Sequence, residues 1–212
     1  ANLMAIGDGS SDRLELFQFA SATLAGPDTY DLSMRLRGQA GTDAVMPDQW
    51  PAGSYVVLMN GAATQISLAA SERDLARHYR IGPSRRGYDD ASYLHRTEAF
   101  SGIGLRPFSP VHPRAMRQVS GDLTLSWVRR SRIDGDSWSP VDVPLAESRE
   151  TYLLRVVQAG AVLRETSVAQ PFWTYADAQQ VADAVAAPFE IHIAQMSDVF
   201  GAGPFARITI NV

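Results

Sequence analysis

The chain has 212 residues and a mass of 23.1 kDa, enough for one large domain or two of about a hundred residues, each able to bury a core. A composition 45% hydrophobic and 20% charged excludes disorder and low-complexity fibres, and no apolar run reaches the roughly 18 residues a membrane span needs. The net charge of −4 is spread evenly, with 9 Arg against 12 acids in residues 1–103 and 10 Arg against 11 in residues 104–212, so neither half offers nucleic acid a strong basic field. All 19 basic residues are Arg, and cysteine is absent, which removes disulfides, thiolate metal sites and a cysteine nucleophile.

The chain opens on Ala1-Asn2-Leu3-Met4 without a secretion-signal pattern, and the expectation is a piece cut from a longer polypeptide. Arg13–Ala22 and Thr29–Leu36 alternate apolar and polar residues across Gly26-Pro27-Asp28, which reads as two antiparallel strands and a tight connection. Tyr55–Met59 is a short apolar run closed by Asn60-Gly61, a hairpin signal that predicts a return strand at Thr64–Leu68. His78–Ile81 and Ser92–Phe100 offer two more strands. Between Ser101 and Pro113 two glycines and three prolines deny regular hydrogen bonding, so the domains are expected at 1–103 and 104–212.

In the second half, strands are predicted at Asp122–Arg130, Thr151–Gln158, Ala161–Ser167, Phe189–Gln195 and Ala206–Val212, with Ile133-Asp134-Gly135-Asp136 as a turn. Short strands at regular spacing are the pattern of a sandwich. One helix is predicted to start at Thr174, with Asp177 three residues on, to place Ala178, Val181, Ala182 and Val185 on one face, and to stop at Pro188. The fold class is therefore all-β with one short helix: a barrel- or sandwich-like first domain, then a β-sandwich.

Chemistry-bearing constellations are sparse. His78, His95, His112 and His192 include no pair at helical spacing, and are expected to be surface or core residues rather than metal ligands. Asp8-Gly9-Ser10-Ser11-Asp12 resembles the start of a calcium loop, but Phe19 stands where the bidentate Glu is required, so a polar turn is expected. There is no Gly-x-Ser-x-Gly elbow, and Gly201-Ala202-Gly203 lies between strands without the helix of a dinucleotide site. Trp127, Trp138, Phe172, Trp173 and Tyr175 could stack sugars, although an alternating strand puts Trp127 inside. Arg129-Arg130-Ser131-Arg132 beside Asp134–Asp136 is expected to neutralise itself within a hairpin. No catalytic residue, cofactor site or metal site is assigned.

Leu123-Thr124-Leu125-Ser126-Trp127, Tyr152-Leu153-Leu154-Arg155-Val156 and Phe189–Gln195 leading to Gly201-Ala202-Gly203-Pro204 resemble strands of a fibronectin type III domain over residues 110–212. Two departures stand out: Phe189 replaces that family's usual tyrosine, and the helix at 174–187 fills what is normally a turn. Across the chain, Tyr30–Thr42 with its Arg37-Gly38-Gln39-Ala40-Gly41-Thr42 turn, Pro51–Leu58, Tyr79–Pro83, Leu105–His112 and Ser126–Trp138 resemble, in order, the C-terminal part of the tail-tip or baseplate hub protein of gene transfer agents and related siphophages. The resemblance implies a non-enzymatic virion structural protein at a phage-like tail tip, assembled in the bacterial cytoplasm. Its implied partners are other tail and baseplate proteins and a host-envelope component, with oligomerisation following the particle. The glycosidase-like module of those relatives has no matching residues here. The alternative is a carbohydrate- or protein-binding module appended to a secreted or surface enzyme, and a third reading is a small hydrolase with a triad at the domain junction.

Overall fold

A computed structural model describes residues 2–61, 63, 65–135 and 142–211. The chain is mostly β, with one short helix and several antiparallel sheets. It divides into two compact units, Ala1–Gly104 and Leu105–Val212.

Unit 1 is built on β1 (Leu3–Gly7), β2 (Leu14–Gly26), β3 (Thr29–Gln39) and β4 (Tyr55–Leu58), in the antiparallel order β3-β2-β1-β4. Pro27 and Asp28 turn β2 into β3, and Asp28 takes φ 53, a conformation its short polar side chain tolerates. The hairpin predicted at Asn60-Gly61 does not form. β4 finds its ladder on β1 instead, from Met4 opposite Leu58 to Gly7 opposite Tyr55. Residues 65–68 form no strand, and Thr64 lies outside the described residues. A local turn signal yields here to a strand from the start of the chain. β5 (Arg77–Ile81) and β6 (Leu94–Glu98) pair only with each other in the described structure.

Unit 2 is a sandwich. β7 (Val111–Arg117), β8 (Leu123–Val128) and β11 (Phe172–Tyr175) make one sheet in the order β11-β8-β7. β9 (Tyr152–Gln158), β10 (Ala161–Val168), β12 (Phe189–Ser197), the two-residue β13 (Gly201–Ala202) and β14 (Ala206–Ile210) make the other, with β12 between β9 and β14. Apart from the short β13, a three-stranded sheet is set against a four-stranded one, a β-sandwich arrangement. Inward positions of both sheets supply a continuous core: Leu123, Leu125 and Trp127 from β8, Tyr152, Leu154 and Val156 from β9, and Phe189, Ile191 and Ile193 from β12. Trp127 stands edge-on to Tyr152 with ring centroids 5.1 Å apart, a favoured aromatic geometry.

Two expectations fail in unit 2 for physical reasons. Of the Ser101–Pro113 segment, read as irregular, the last three residues, Val111–Pro113, become part of β7. Proline is tolerated there because β7 is an edge strand and its register against β8 shifts between Val111 and Arg114. The helix α1 spans only Asp177–Ala182. Thr174 pairs with Thr124 in β11, and Gln179 accepts the Ala176 N–H at 3.3 Å as the true start. Val181 is 73% exposed, while Gln180 is buried and donates to the Tyr175 and Gly121 carbonyls. The alternating Trp173 and Tyr175 favour pairing with β8 over helix extension.

Candidate functional site

The segment carrying Arg37-Gly38 folds around one carboxylate. Glu15 is fully buried and accepts two bonds from Arg37, Nε to Oε1 at 2.9 Å and Nη2 to Oε2 at 2.7 Å. Trp50 Nε1 donates to Oε2 at 2.6 Å, and the Gly38 N–H donates to Oε1 at 3.2 Å. Arg37 also donates to the Pro47 and Asp48 carbonyls, tying the 42–50 loop to β3. Burial by itself would raise the Glu15 pKa, but the bonds from Arg37, Trp50 and Gly38 outweigh it and hold the carboxyl below its ordinary value. Gly38 sits at φ 64, and a Cβ there would lie 2.8 Å from Asp43 Cβ. Thr42 Oγ1 donates to the Gln39 carbonyl and accepts from the Leu16 N–H. Beside this clasp lies a cleft of about 420 Å³, lined by Ile6, Phe17, Arg35 and Trp50 with the Glu15–Arg37 pair. An ionised, fully bonded carboxylate has no proton to donate and no free lone pair to act as a base, so the clasp positions β2 and β3 rather than doing chemistry.

Beyond the clasp, β2 and β3 continue as a two-stranded arm. The register places Leu24 opposite Tyr30, Ala22 opposite Leu32 and Gln18 opposite Leu36; the alternate pairs are Thr23 with Asp31, Ser21 with Ser33 and Phe19 with Arg35. Opposed residues share a face, so the distal arm is amphipathic, with one face apolar and the other polar. Leu24, Tyr30 and Leu36 are 63%, 60% and 59% exposed. At the far edge of the sheet all four residues of β4 are exposed as well. The buried apolar residues in the described part of unit 1 are Ala5 and Phe17, whereas the clustered core lies in unit 2.

The residues singled out in the sequence fall as follows. His78 and His95 meet on β5–β6, His78 Nδ1 lying 3.0 Å from His95 Nε2. Spacing along the chain gives no hint of this, because the contact is made across strands. His112 is exposed on β7, and His192 lies 2.7 Å from Glu190. Among the described residues no three His, Asp or Glu side chains gather as a ligand set. Asp8 caps a polar turn, accepting from the Ser10 N–H and hydroxyl. In unit 2, Arg129 donates to the Val143 and Pro144 carbonyls, and Arg132 pairs with Glu147. Asp136 and Trp138 lie outside the described residues. Trp127 and Tyr175 are buried and Trp173 stacks on Tyr175 at 5.0 Å, so these three rings are committed to the core, while Phe172 is exposed. Tyr175 donates to Asp183, which also takes two bonds from Arg164. No helix among the described residues is long and apolar enough to cross a membrane.

The clasp and the arm lie within a stretch that a family description covers. Residues 1–57 match the Rcc01698-like, C-terminal family model. That family is associated with gene transfer agents, and the matched stretch holds Glu15, Arg37, Trp50 and both strands of the arm. No curated protein matches the chain. Among solved structures it is similar to the extracellular region of rat CD45, domains d3–d4, at 8% identity and a TM-score of 0.37, covering 91% of this chain and 94% of that one. It is also similar to the FN1–FN3 domains of chicken CNTN1, at 14% identity and a TM-score of 0.33, covering 98% of this chain and 63% of that one.

Proposed function

We propose that this chain is a structural, non-enzymatic component of a phage-like tail tip, of the gene transfer agent kind, whose task is to hold neighbouring tail proteins. The observation that carries this reading is the amphipathic arm: Leu24, Tyr30 and Leu36 stand exposed on one face of β2–β3. A contiguous exposed apolar face costs solubility unless a partner covers it. Burying a large apolar side chain contributes about 1.5–3 kcal/mol, so a few such residues supply much of a specific contact. The clasp supports the same reading, since it fixes the root of the arm with buried, charge-assisted bonds. The family match over residues 1–57 supports the particle context.

In this reading the partners are other tail and baseplate proteins together with a host-envelope component, and the location is the tail tip of a particle assembled in the bacterial cytoplasm. The test is to purify tailed particles from the source cells, quantify this protein by mass spectrometry and locate it by immunogold labelling. Stoichiometric recovery with label at the tail tip is expected. Particles lacking the protein, or label confined to a soluble enzyme fraction, would overturn the proposal.

A further inference from the structure

The geometry points to a metal site away from the clasp and the arm: His78 and His95 form a two-imidazole site for a divalent first-row transition ion of the Cu²⁺ or Ni²⁺ type, clipping β5 to β6. His78 lies opposite Thr97, and His95 opposite Arg80, so the two imidazoles share one face of the hairpin on a diagonal. His78 Nδ1 and His95 Nε2 lie 3.0 Å apart, and the rings are near parallel with centroids 5.2 Å apart. Imidazole nitrogens bind such ions at about 2.0–2.1 Å, so a nitrogen separation of this size corresponds to an N–metal–N angle of about 94°. That is close to the angle between adjacent positions of a tetragonal site and narrower than a tetrahedral one.

In the metal-free protein the facing nitrogens share one hydrogen, since two lone pairs at this distance repel. Each neutral imidazole can carry its hydrogen on the outer nitrogen, which frees both facing lone pairs with no net loss of a proton. Both side chains are exposed, so the rings can turn to aim at a shared ion, and water completes the coordination. Thr97 Oγ1 lies 3.2 Å from His78 Nδ1. The charged group on the same face is Arg80, whose guanidinium lies 6.0 Å from the centroid of the Tyr93 ring. A clip has a physical consequence here because β5 and β6 form a two-stranded sheet, and such sheets are marginal in water without further support.

The test is a Cu²⁺ titration of the whole chain by calorimetry and electron paramagnetic resonance, with amide hydrogen exchange read over residues 77–98. Expected are one Cu²⁺ with a two-nitrogen spectrum, slowed exchange in β5–β6, and binding weakened about tenfold or more in both His78→Ala and His95→Asn, with His112→Ala unchanged. Circular dichroism checks that each variant is folded. Equal Cu²⁺ affinity in the His78 and His95 variants and the parent, loss of binding in His112→Ala instead, or unchanged exchange over 77–98 at saturating Cu²⁺ would overturn the inference.

Discussion

Glu15 is a fully buried carboxylate whose charge is matched by Arg37 and by the Trp50 and Gly38 N–H groups. Removing it takes the countercharge from a partly buried guanidinium that keeps only its Pro47 and Asp48 carbonyl acceptors, and takes the carboxylate acceptor from the Trp50 indole N–H. Glu15→Ala is expected to destabilise unit 1 by about 3 kcal/mol or more, read as a lower urea midpoint. Because the folded pKa of Glu15 is depressed, its contribution is complete above the ordinary value of 4.5 and is lost as pH falls through the lower folded value. Unit 1 should therefore lose stability on acidification below pH 4.5, and in Glu15→Gln that part of the pH dependence should vanish. Gly38 adds a steric condition: the backbone there is at φ 64, and a methyl group on its Cα would stand 2.8 Å from Asp43 Cβ. Gly38→Ala is accordingly expected to cost about 1–3 kcal/mol. A Gly38→Ala protein as stable as the parent would contradict the clasp as described.

At the scale of elements, unit 2 stands on its interior and α1 is peripheral to it. Leu125 and Trp127 are buried between the sheets, so Trp127→Ala should cost about 3–5 kcal/mol. Val181→Ser on the exposed side of α1 should change the melting temperature by little. Tyr175→Phe removes the hydroxyl bond to Asp183 and is expected to cost about 1–3 kcal/mol, since the acceptor is charged. These contrasts mark what the sequence makes readable. Alternation around Leu123, Leu125 and Trp127, and the Gly26-Pro27-Asp28 turn, are legible because local pattern and final pairing agree. β1, β7 and β11 are not, because each is chosen by a partner strand outside its own local pattern. The same non-locality hides the Glu15–Arg37–Trp50 clasp and the His78–His95 pair, although the Arg37–Thr42 stretch stands out by its resemblance.

For the molecule as a whole, apolar surface is distributed unequally. Unit 2 encloses a continuous cluster of large apolar side chains between its sheets, while unit 1 holds its sheet together through backbone ladders and a charged clasp and leaves an apolar arm face uncovered. In the proposed role a neighbouring protein buries this face. The arm tip lies away from the clasp, so charges placed there should leave folding intact. The decisive measurement is the amount of this protein in purified particles when the source cells carry Leu24→Arg with Tyr30→Arg, an exposed pair beside the Pro27-Asp28 turn, in place of the parent gene. A variant that is normally folded and expressed yet depleted at least about tenfold from particles is expected; wild-type incorporation of the same folded variant would contradict the tail-tip role.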